Sequence, residues 1–276
     1  MIVHAPDAPA LEDRALAVRE HVLAIGASPV GTHVGGSLSA VDILIALYFH
    51  ALRVRPAQPR WADRDYFILS KGHSSAALYA TLAERGFIPV EELATYAQVG
   101  SRLLAHPTPT VPGIEFATGS LGHGLSLAVG LALAAQRADR PNRAFVLLGD
   151  GELQEGSVWE AVMSASHFRL DNLTAIVDRN RLQINGDTEQ RMRLEPLADR
   201  WRSFGWRVTD VDGHDMAQLV STLDTVPIEA GRPTVLIADT VKGRGVKYLE
   251  NRKQSHYATL GRDSYQRALD ALHSKP

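Results

Sequence analysis

The hydrophobic positions at the start of the chain follow a helical spacing. They predict a first helix over about residues 10–26, and the segment SLSAVDILIALYFHAL predicts a second helix with Ser37 or Ser39 as its N-cap. The stretch between them, GASPVGTHVGGS, is rich in glycine and predicts a loop.

Farther along, short apolar runs alternate with helical segments. The runs are mostly continuous and not alternating, which is typical of strands covered on both faces, and they lie at about 66–70, 144–149, 173–178, 206–211 and 234–241. Helical spacing predicts helices at about 74–85, 122–138, 156–168, 195–203 and 215–224. This alternation indicates an α/β fold, a doubly wound, mostly parallel sheet with helices on both faces. We predict one domain over residues 1–276, with a C-terminal arm from about 243.

Composition narrows the classes of partner and chemistry. The 276 residues are 45% apolar and 22% charged, and the formal net charge is −2 with lysine and arginine spread along the chain, so we expect no nucleic-acid partner. The absence of cysteine excludes disulfides, thiol nucleophiles and Cys-zinc sites. The segment MIVHAPDAPALEDR lacks the pattern of a signal peptide, and we find no run of about 18 uninterrupted apolar residues. We therefore expect a cytoplasmic chain with no membrane partner.

Clusters of glycine, histidine and acidic residues follow the predicted strands. They are SKGHSS, GDGELQEG, DRNRLQINGDT and KGRG. Open parallel sheets bind ligands at the carboxyl ends of their strands, and Asp150 and Asn180 end neighbouring strands there. One carboxylate, one amide oxygen and a nearby carbonyl suit Mg²⁺, which completes its shell with phosphate oxygens and water. Gly149 and Gly151 would let the backbone approach those phosphates, so the pattern predicts a site for Mg²⁺ and a diphosphate.

Two other interpretations of these residues stay open. Asp150 is also suited to cap the helix after a strand-to-helix turn, with Asn180 serving turn chemistry. The second interpretation is a dinucleotide site, because Asp178 lies at the end of a strand, where a ribose-binding acid is expected. Against it, Gln154 occupies the position of the third glycine of the G-x-G-x-x-G motif. Zinc is disfavoured, because neither H-x-H nor H-E-x-x-H occurs.

The GDG segment with its downstream asparagine resembles the signature of thiamine-diphosphate-binding proteins, in which this pair ligates Mg²⁺ on the cofactor. Five segments, including the one that contains GDG, resemble those of transketolases in the family's order: GTHVGGSLSAVDIL, LSKGHSSAALYATLAERG, HPTPTVPGIEFATGSLGHGLSLAVGLALA, GDGELQEGSVWEA and KGRGVKYLENRKQSH. The resemblance covers nearly all of residues 10–260. A 2-oxoacid dehydrogenase E1 α subunit shares GDG but is not expected to carry the histidine segments.

The resemblance implies roles for individual residues. The implied metal ligands are the side chains of Asp150 and Asn180 and the carbonyl of Leu182, with Mg²⁺ as the metal and Ca²⁺ or Mn²⁺ as substitutes. The residues implied to contact thiamine diphosphate are His73, Ser120, Leu121, Gly149, Asp150, Gly151, Glu155, Asn180, Leu182 and His256. The histidines implied to face the substrate and move protons are His33, His73, His106 and His256.

Some positions depart from the family pattern. Ser120 stands where proline is usual and His123 where glutamine is usual, AHPTPTVPG lacks an acidic residue after the His-Pro pair, and SHYATL lacks the usual glycine after its histidine. These departures leave the donor and acceptor sugars open.

The resemblance also implies a missing half of the active site. In the family, the glutamate and the aromatic pocket around the aminopyrimidine belong to a second domain, which the arm from about 243 cannot contain. We therefore expect the N-terminal subunit of a split transketolase, which transfers a two-carbon ketol unit from a ketose phosphate donor to an aldose acceptor. Its partner would be a separate pyrimidine-domain subunit in an α2β2 heterotetramer. A non-catalytic thiamine-diphosphate-binding module and a dinucleotide-dependent oxidoreductase stay open as alternatives.

Overall fold

The computed structural model describes residues 8–274. Within this range the strands are β1 (Tyr66–Leu69), β2 (Ala144–Gly149), β3 (Leu173–Arg179), β4 (Leu182–Gln183), β5 (Gly186–Asp187), β6 (Arg207–Asp212) and β7 (Thr234–Asp239). Five of them form a parallel sheet in the order β1-β2-β3-β7-β6, and β4 pairs with β5 in a small antiparallel hairpin.

The helices over the same range are α1 (Ala8–Gly26), α2 (Val34–Ala46), α3 (Ser75–Arg85), α4 (Gly124–Arg137), α5 (Gly156–His167), α6 (Thr188–Arg191), α7 (Leu197–Ser203), α8 (Met216–Leu223) and α9 (Arg262–His273). A π-helical turn, Leu47–Ala51, continues α2. Short 3₁₀ turns lie at Gly72–Ser74, Val90–Thr95, Gly151–Gln154 and Lys253–Ser255.

Side chains of the strands alternate between two hydrophobic cores. Phe145 and Leu147 of β2 face the core that contains α1, α2, α3 and α8, whereas Val146 and Leu148 face the core that contains α4, α5 and α7. The strands β2, β3 and β7 are therefore buried on both faces, which explains why they are continuous apolar runs, whereas the edge strand β6 is only partly buried. The prediction of a parallel α/β sheet with helices on both faces is confirmed.

The strand order places three strand ends side by side. After β3 the chain crosses to β6 at the edge of the sheet and returns through α8 to β7, which lies between β3 and β6. The carboxyl ends of β2, β3 and β7 are therefore neighbours, and Asp150, Asn180 and Lys242 lie at or just beyond them.

The predicted start of α2 is wrong. The helix begins at Val34, with His33 in the cap position, so Ser37 and Ser39 both lie inside it and are buried. The hydroxyl of Ser39 donates to Asp178 Oδ2 at 2.7 Å, so a tertiary contact accounts for this polar residue better than capping does. The hairpin of β4 and β5 was not predicted, because its strands are too short to form an apolar run.

One helix is apolar enough to be mistaken for a membrane span. By length and mean hydropathy, the segment Val34–Ala51 passes the test for a spanning helix. However, 83% of it is buried inside the protein, where α2 packs against both α1 and α3. This helix is therefore accounted for by the core.

The arm from 243 folds back over the start of the chain. The amide of Leu260 donates to the carbonyl of Gly26 at 2.8 Å, and Thr32 and Ala258 exchange backbone hydrogen bonds. Ala268 of α9 is buried in the core shared with α1. These contacts bring His256 next to the start of α2.

Candidate active site

A cavity of about 380 Å³ opens at the carboxyl edge of the sheet. It lies where the loops after β2, β3 and β7 meet the start of α2 and the turn Gly72–Ser74. Most of the predicted site residues line it: His33, His73, Leu121, Gly149, Asp150, Gly151, Glu155, Asn180, Leu182 and His256. The fold thus brings residues from distant segments to one place.

Three other residues singled out in the sequence lie outside this lining. The ring of His106 is partly buried, with its centroid 6.2 Å from that of His33, so His106 borders the cavity. Ser120 and His123 are exposed, and the His123 side chain makes no capping hydrogen bond at the start of α4. The structure gives Ser120 no part in the cavity wall.

Asp150 is held by three donors. Its carboxylate is buried, and Oδ1 accepts from the amide of Gly151 at 2.8 Å. Oδ2 accepts from Arg179 Nη1 at 3.1 Å and from the amide of Arg181. Asp150 therefore caps the turn that follows β2, as one interpretation predicts, but donors at the end of β3 also fix it. Burial raises the pKa of this carboxyl group.

The three predicted metal ligands offer one carboxylate, one amide oxygen and one carbonyl. Asn180 Nδ2 donates to Asp178 Oδ1 at 3.1 Å and Asn180 Oδ1 accepts from the amide of Leu182 at 3.1 Å, which fixes the amide orientation. The carbonyl of Leu182 accepts from Lys242 Nζ at 3.0 Å. Hard oxygen donors in this small number fit Mg²⁺, which takes the rest of its shell from phosphate and water.

A close backbone approach supports the same fit. A Cβ atom at Gly151 would lie 2.9 Å from the Cβ atom of Gln183 in the hairpin, which is closer than side chains pack. Glycine at position 151 therefore lets the turn after Asp150 pack closely against the β4–β5 hairpin, which contains Leu182. The cavity wall at this point is backbone, which suits contact with a diphosphate.

Four histidines cluster around the cavity, with His33 at the centre. The His33 ring centroid lies 5.3 Å from those of both His73 and His256, and 6.2 Å from that of His106. The ring of Tyr257 packs edge-on against His33 at 4.9 Å. The fold thus brings together all four histidines predicted to face the substrate.

The environment keeps His33, His73 and His256 neutral near pH 7. Burial lowers the pKa of both His33 and His256 to about 4, and the positive charge of Lys242 acts in the same direction. Burial and the charge of Lys71 lower the pKa of His73 well below its ordinary value. Burial also lowers the pKa of Lys242, to about 8. Neutral imidazoles can both donate and accept protons, which suits work on sugar hydroxyls.

A buried ion pair at the wall of the cavity was not predicted from the sequence. Lys71 Nζ pairs with Asp178, and the two side chains are only 1% and 0% exposed. Lys71 also donates to the carbonyl of Gly36 at 2.9 Å, and the hydroxyls of Ser39 and Thr240 donate to Asp178. Asp178 thus has its hydrogen-bond partners inside the protein and does not line the cavity. The interpretation of Asp178 as the ribose-binding acid of a dinucleotide site therefore loses its support.

Glu152 was also missed. This buried carboxylate accepts from the amides of Gly149 at 3.0 Å and Gly122 at 2.9 Å, and from the hydroxyl of Ser70. It joins the ends of β1 and β2 to the loop before α4. The sequence does place Glu152 two residues after Asp150, in the same turn. A second acidic residue in such a turn needs hydrogen-bond donors if it is buried, so this spacing could have indicated its structural role.

The sequence matches a known family almost from end to end. Residues 13–276 match the family model described as the transketolase thiamine diphosphate binding domain. The chain belongs to the transketolase family. The predicted family is therefore confirmed, and the match supports thiamine diphosphate as the cofactor.

Two similar transketolase subunits are matched over most of their length. The chain is 46% identical to an apulose-4-phosphate transketolase subunit of Phocaeicola vulgatus, over 86% of this chain and 84% of that protein. It is 42% identical to a 6-deoxy-6-sulfo-D-fructose transketolase subunit of a Clostridium species, over 95% of this chain and 96% of that protein. The transketolase match makes the chain a transferase that acts as one subunit, as predicted.

A solved transketolase shares the fold. The structure of transketolase from Campylobacter jejuni superposes with a TM-score of 0.90 at 32% identity, covering 96% of this chain but 43% of that protein. The chain thus corresponds to a part of a single-chain transketolase and to nearly the whole of a transketolase subunit.

Proposed function

We propose that this chain is the N-terminal, diphosphate-binding subunit of a split transketolase. It transfers a two-carbon ketol unit from a ketose phosphate donor to an aldose acceptor, together with a separate pyrimidine-domain subunit in an α2β2 heterotetramer. The observation that carries this proposal is the near end-to-end match to transketolase subunits. The cavity supports it, because its lining residues are those predicted to bind the diphosphate and the sugar.

Residues of this chain would hold the cofactor at its diphosphate end. Asp150, Asn180 and the carbonyl of Leu182 would bind Mg²⁺, and Lys242 and His73 line the cavity where positive charge and hydrogen-bond donors can face phosphate oxygens. Thiamine diphosphate, when bound, supplies the electron sink for breaking and forming the carbon–carbon bond next to the ketose carbonyl.

The histidine cluster would position the sugar and move protons. His33, His73, His106 and His256 surround one space with rings about 5 to 6 Å apart, so two or three of them can reach hydroxyls of one sugar. A neutral imidazole can accept the proton of a hydroxyl as the carbonyl forms and return it when the new bond is made.

The donor is proposed only as a class. The two subunit relatives are named for apulose 4-phosphate and for 6-deoxy-6-sulfo-D-fructose, which are different ketoses. Both compounds are therefore the first donors to assay with this chain, beside an ordinary ketose phosphate.

The deciding experiment compares the purified chain alone with the chain plus a pyrimidine-domain subunit, in Mg²⁺ and thiamine diphosphate. We expect ketol transfer only in the mixture, because one chain supplies one end of the cofactor site. Robust transfer by this chain without a second polypeptide would contradict the split enzyme. Stabilisation of the chain by NAD instead of thiamine diphosphate, measured as a shift in melting temperature, would favour the oxidoreductase.

A further inference from the structure

A series of buried polar contacts runs behind the loop that follows β7. Arg19 of α1 pairs with Oδ2 of Asp42 in α2, and the same oxygen lies 2.7 Å from Nδ1 of His214. The other ring nitrogen of His214, Nε2, accepts from the backbone amide of Val241 at 2.8 Å. His214 therefore joins the two N-terminal helices to the loop beyond β7.

These contacts define one tautomer of the ring. A backbone amide can only donate, so Nε2 of His214 carries no hydrogen, and the hydrogen of the neutral ring lies on Nδ1 and points to Asp42. Burial would raise the pKa of Asp42, but the charge of Arg19 and hydrogen bonds from His214 and Arg19 hold it at about 2. Asp42 thus accepts as a carboxylate.

The loop is fixed on both sides of Lys242. His214 binds the amide of the residue before it, and the amide of Gly243 donates to the carbonyl of Gly35 at 2.9 Å. Between these two points, Lys242 extends into the cavity, where Nζ lies 3.1 Å from Nδ1 of His256.

We propose that Asp42 and His214 are positioning residues of the cofactor site, which hold the backbone at Val241 so that the Lys242 ammonium faces the diphosphate. Neither Asp42 nor His214 lines the cavity, so each acts through Lys242. The inference rests on the proposed function, because it takes the ligand beside Lys242 to be a diphosphate.

A double-mutant cycle tests this coupling. His214→Gln and Lys242→Met are made singly and together in the full chain, and the dissociation constant for thiamine diphosphate in Mg²⁺ is measured by calorimetry with the pyrimidine-domain subunit present. We expect His214→Gln alone to weaken binding by roughly 2- to 10-fold, the range for one lost hydrogen bond. In the Lys242→Met chain, His214→Gln should weaken binding of thiamine diphosphate by less than about twofold, because the lysine that His214 positions is absent.

A matched control separates this effect from the general loss of a histidine. His50 Nε2 lies 2.7 Å from Oδ1 of Asp224, a pair of the same chemistry away from the cavity, so His50→Gln should leave the affinity unchanged. If His214→Gln does not fold, Asp42→Asn replaces it in the same cycle.

The outcomes are distinct. Losses that add in the double variant, or wild-type affinity in the His214→Gln chain, would overturn the positioning role and leave the proposed function standing. If the wild-type chain, mixed with the pyrimidine-domain subunit, does not bind thiamine diphosphate, the proposed function is overturned, and this inference with it.

Discussion

The Nζ atom of Lys242 lies 3.0 Å from the carbonyl oxygen of Leu182, the main-chain oxygen predicted to ligate Mg²⁺. Lysine and metal would therefore share one oxygen, and two positive charges would stand close together. That arrangement is favourable only when a strongly negative group, such as a diphosphate, lies beside both of them.

Lys242→Met should therefore separate the two ligands. We expect weaker binding of thiamine diphosphate, since an attractive charge is lost, while the affinity for free Mg²⁺ stays the same or rises, since a repulsive charge is lost. Calorimetric titrations with each ligand measure both effects. Lys247→Met, on the exposed part of the arm, is the control. A fall in Mg²⁺ affinity in the Lys242 variant would show that the lysine does not oppose the metal.

Asp150→Asn should abolish Mg²⁺ binding, because it removes the only charged ligand in the predicted set. The amide keeps the volume of the side chain and can still accept from the amide of Gly151, so the chain should stay folded. Mg²⁺-dependent binding of thiamine diphosphate measures the loss, and circular dichroism checks the fold. Asp171→Asn, whose side chain accepts from Gly231 away from the cavity, is the matched control. Wild-type metal affinity in the Asp150 variant would place the metal elsewhere.

The fold was predictable because its main signal is local. Buried parallel strands are apolar along their whole length, so β2 was predicted with the bounds that the structure has, Ala144–Gly149. The start of α2 was not predicted correctly, because Ser37 and Ser39 are residue types that commonly cap helices. Ser39 instead donates a buried hydrogen bond to Asp178, a residue far along the chain that no local pattern connects to it.

The site was predictable where a residue's place at a strand end defines its chemistry. Asp150 and Asn180 are of this kind, since parallel strands bring their carboxyl ends to one edge. Lys71 and His214 could not be predicted in this way, because the role of each depends on a partner more than 100 positions away. Lys71 pairs with Asp178, and His214 pairs with Asp42. No local pattern carries such a pairing.

Alanine at any one of the four clustered histidines should slow turnover by roughly 10²- to 10⁴-fold, the range for a positioned acid or base. The rings share one space around His33, so each can reach the same sugar. Steady-state rates with the partner subunit present measure the effect, and His167→Ala, at the exposed end of α5, should be silent. If His33, His73, His106 and His256 variants all kept near-normal kcat/KM, the substrate would bind elsewhere.

Stability should fall as the pH drops from about 6.5 to about 4. In that window the unfolded chain protonates His33 and His256 at the ordinary pKa of 6.5, whereas the folded chain keeps both neutral until the pKa of about 4. The unfolded state then binds more protons, so the free energy of unfolding decreases with decreasing pH. Urea midpoints at pH 7 and pH 5 measure the difference. The double variant His33→Gln/His256→Gln should lose less stability over this interval, and an identical loss would contradict the cause.

Lys71→Met should destabilise the chain by about 3–5 kcal/mol, the usual effect of leaving one member of a buried ion pair without its partner. Burial would raise the pKa of Asp178, and it is chiefly the charge and hydrogen bond of Lys71 that hold it below the ordinary value, so the carboxylate would lose its main support. Adding Asp178→Asn removes the uncompensated charge, and we expect the double variant to regain much of the lost stability. Urea denaturation of the four chains measures the coupling. Additive losses would show that Lys71 and Asp178 contribute separately, through their contacts with Gly36 and with Ser39 and Thr240.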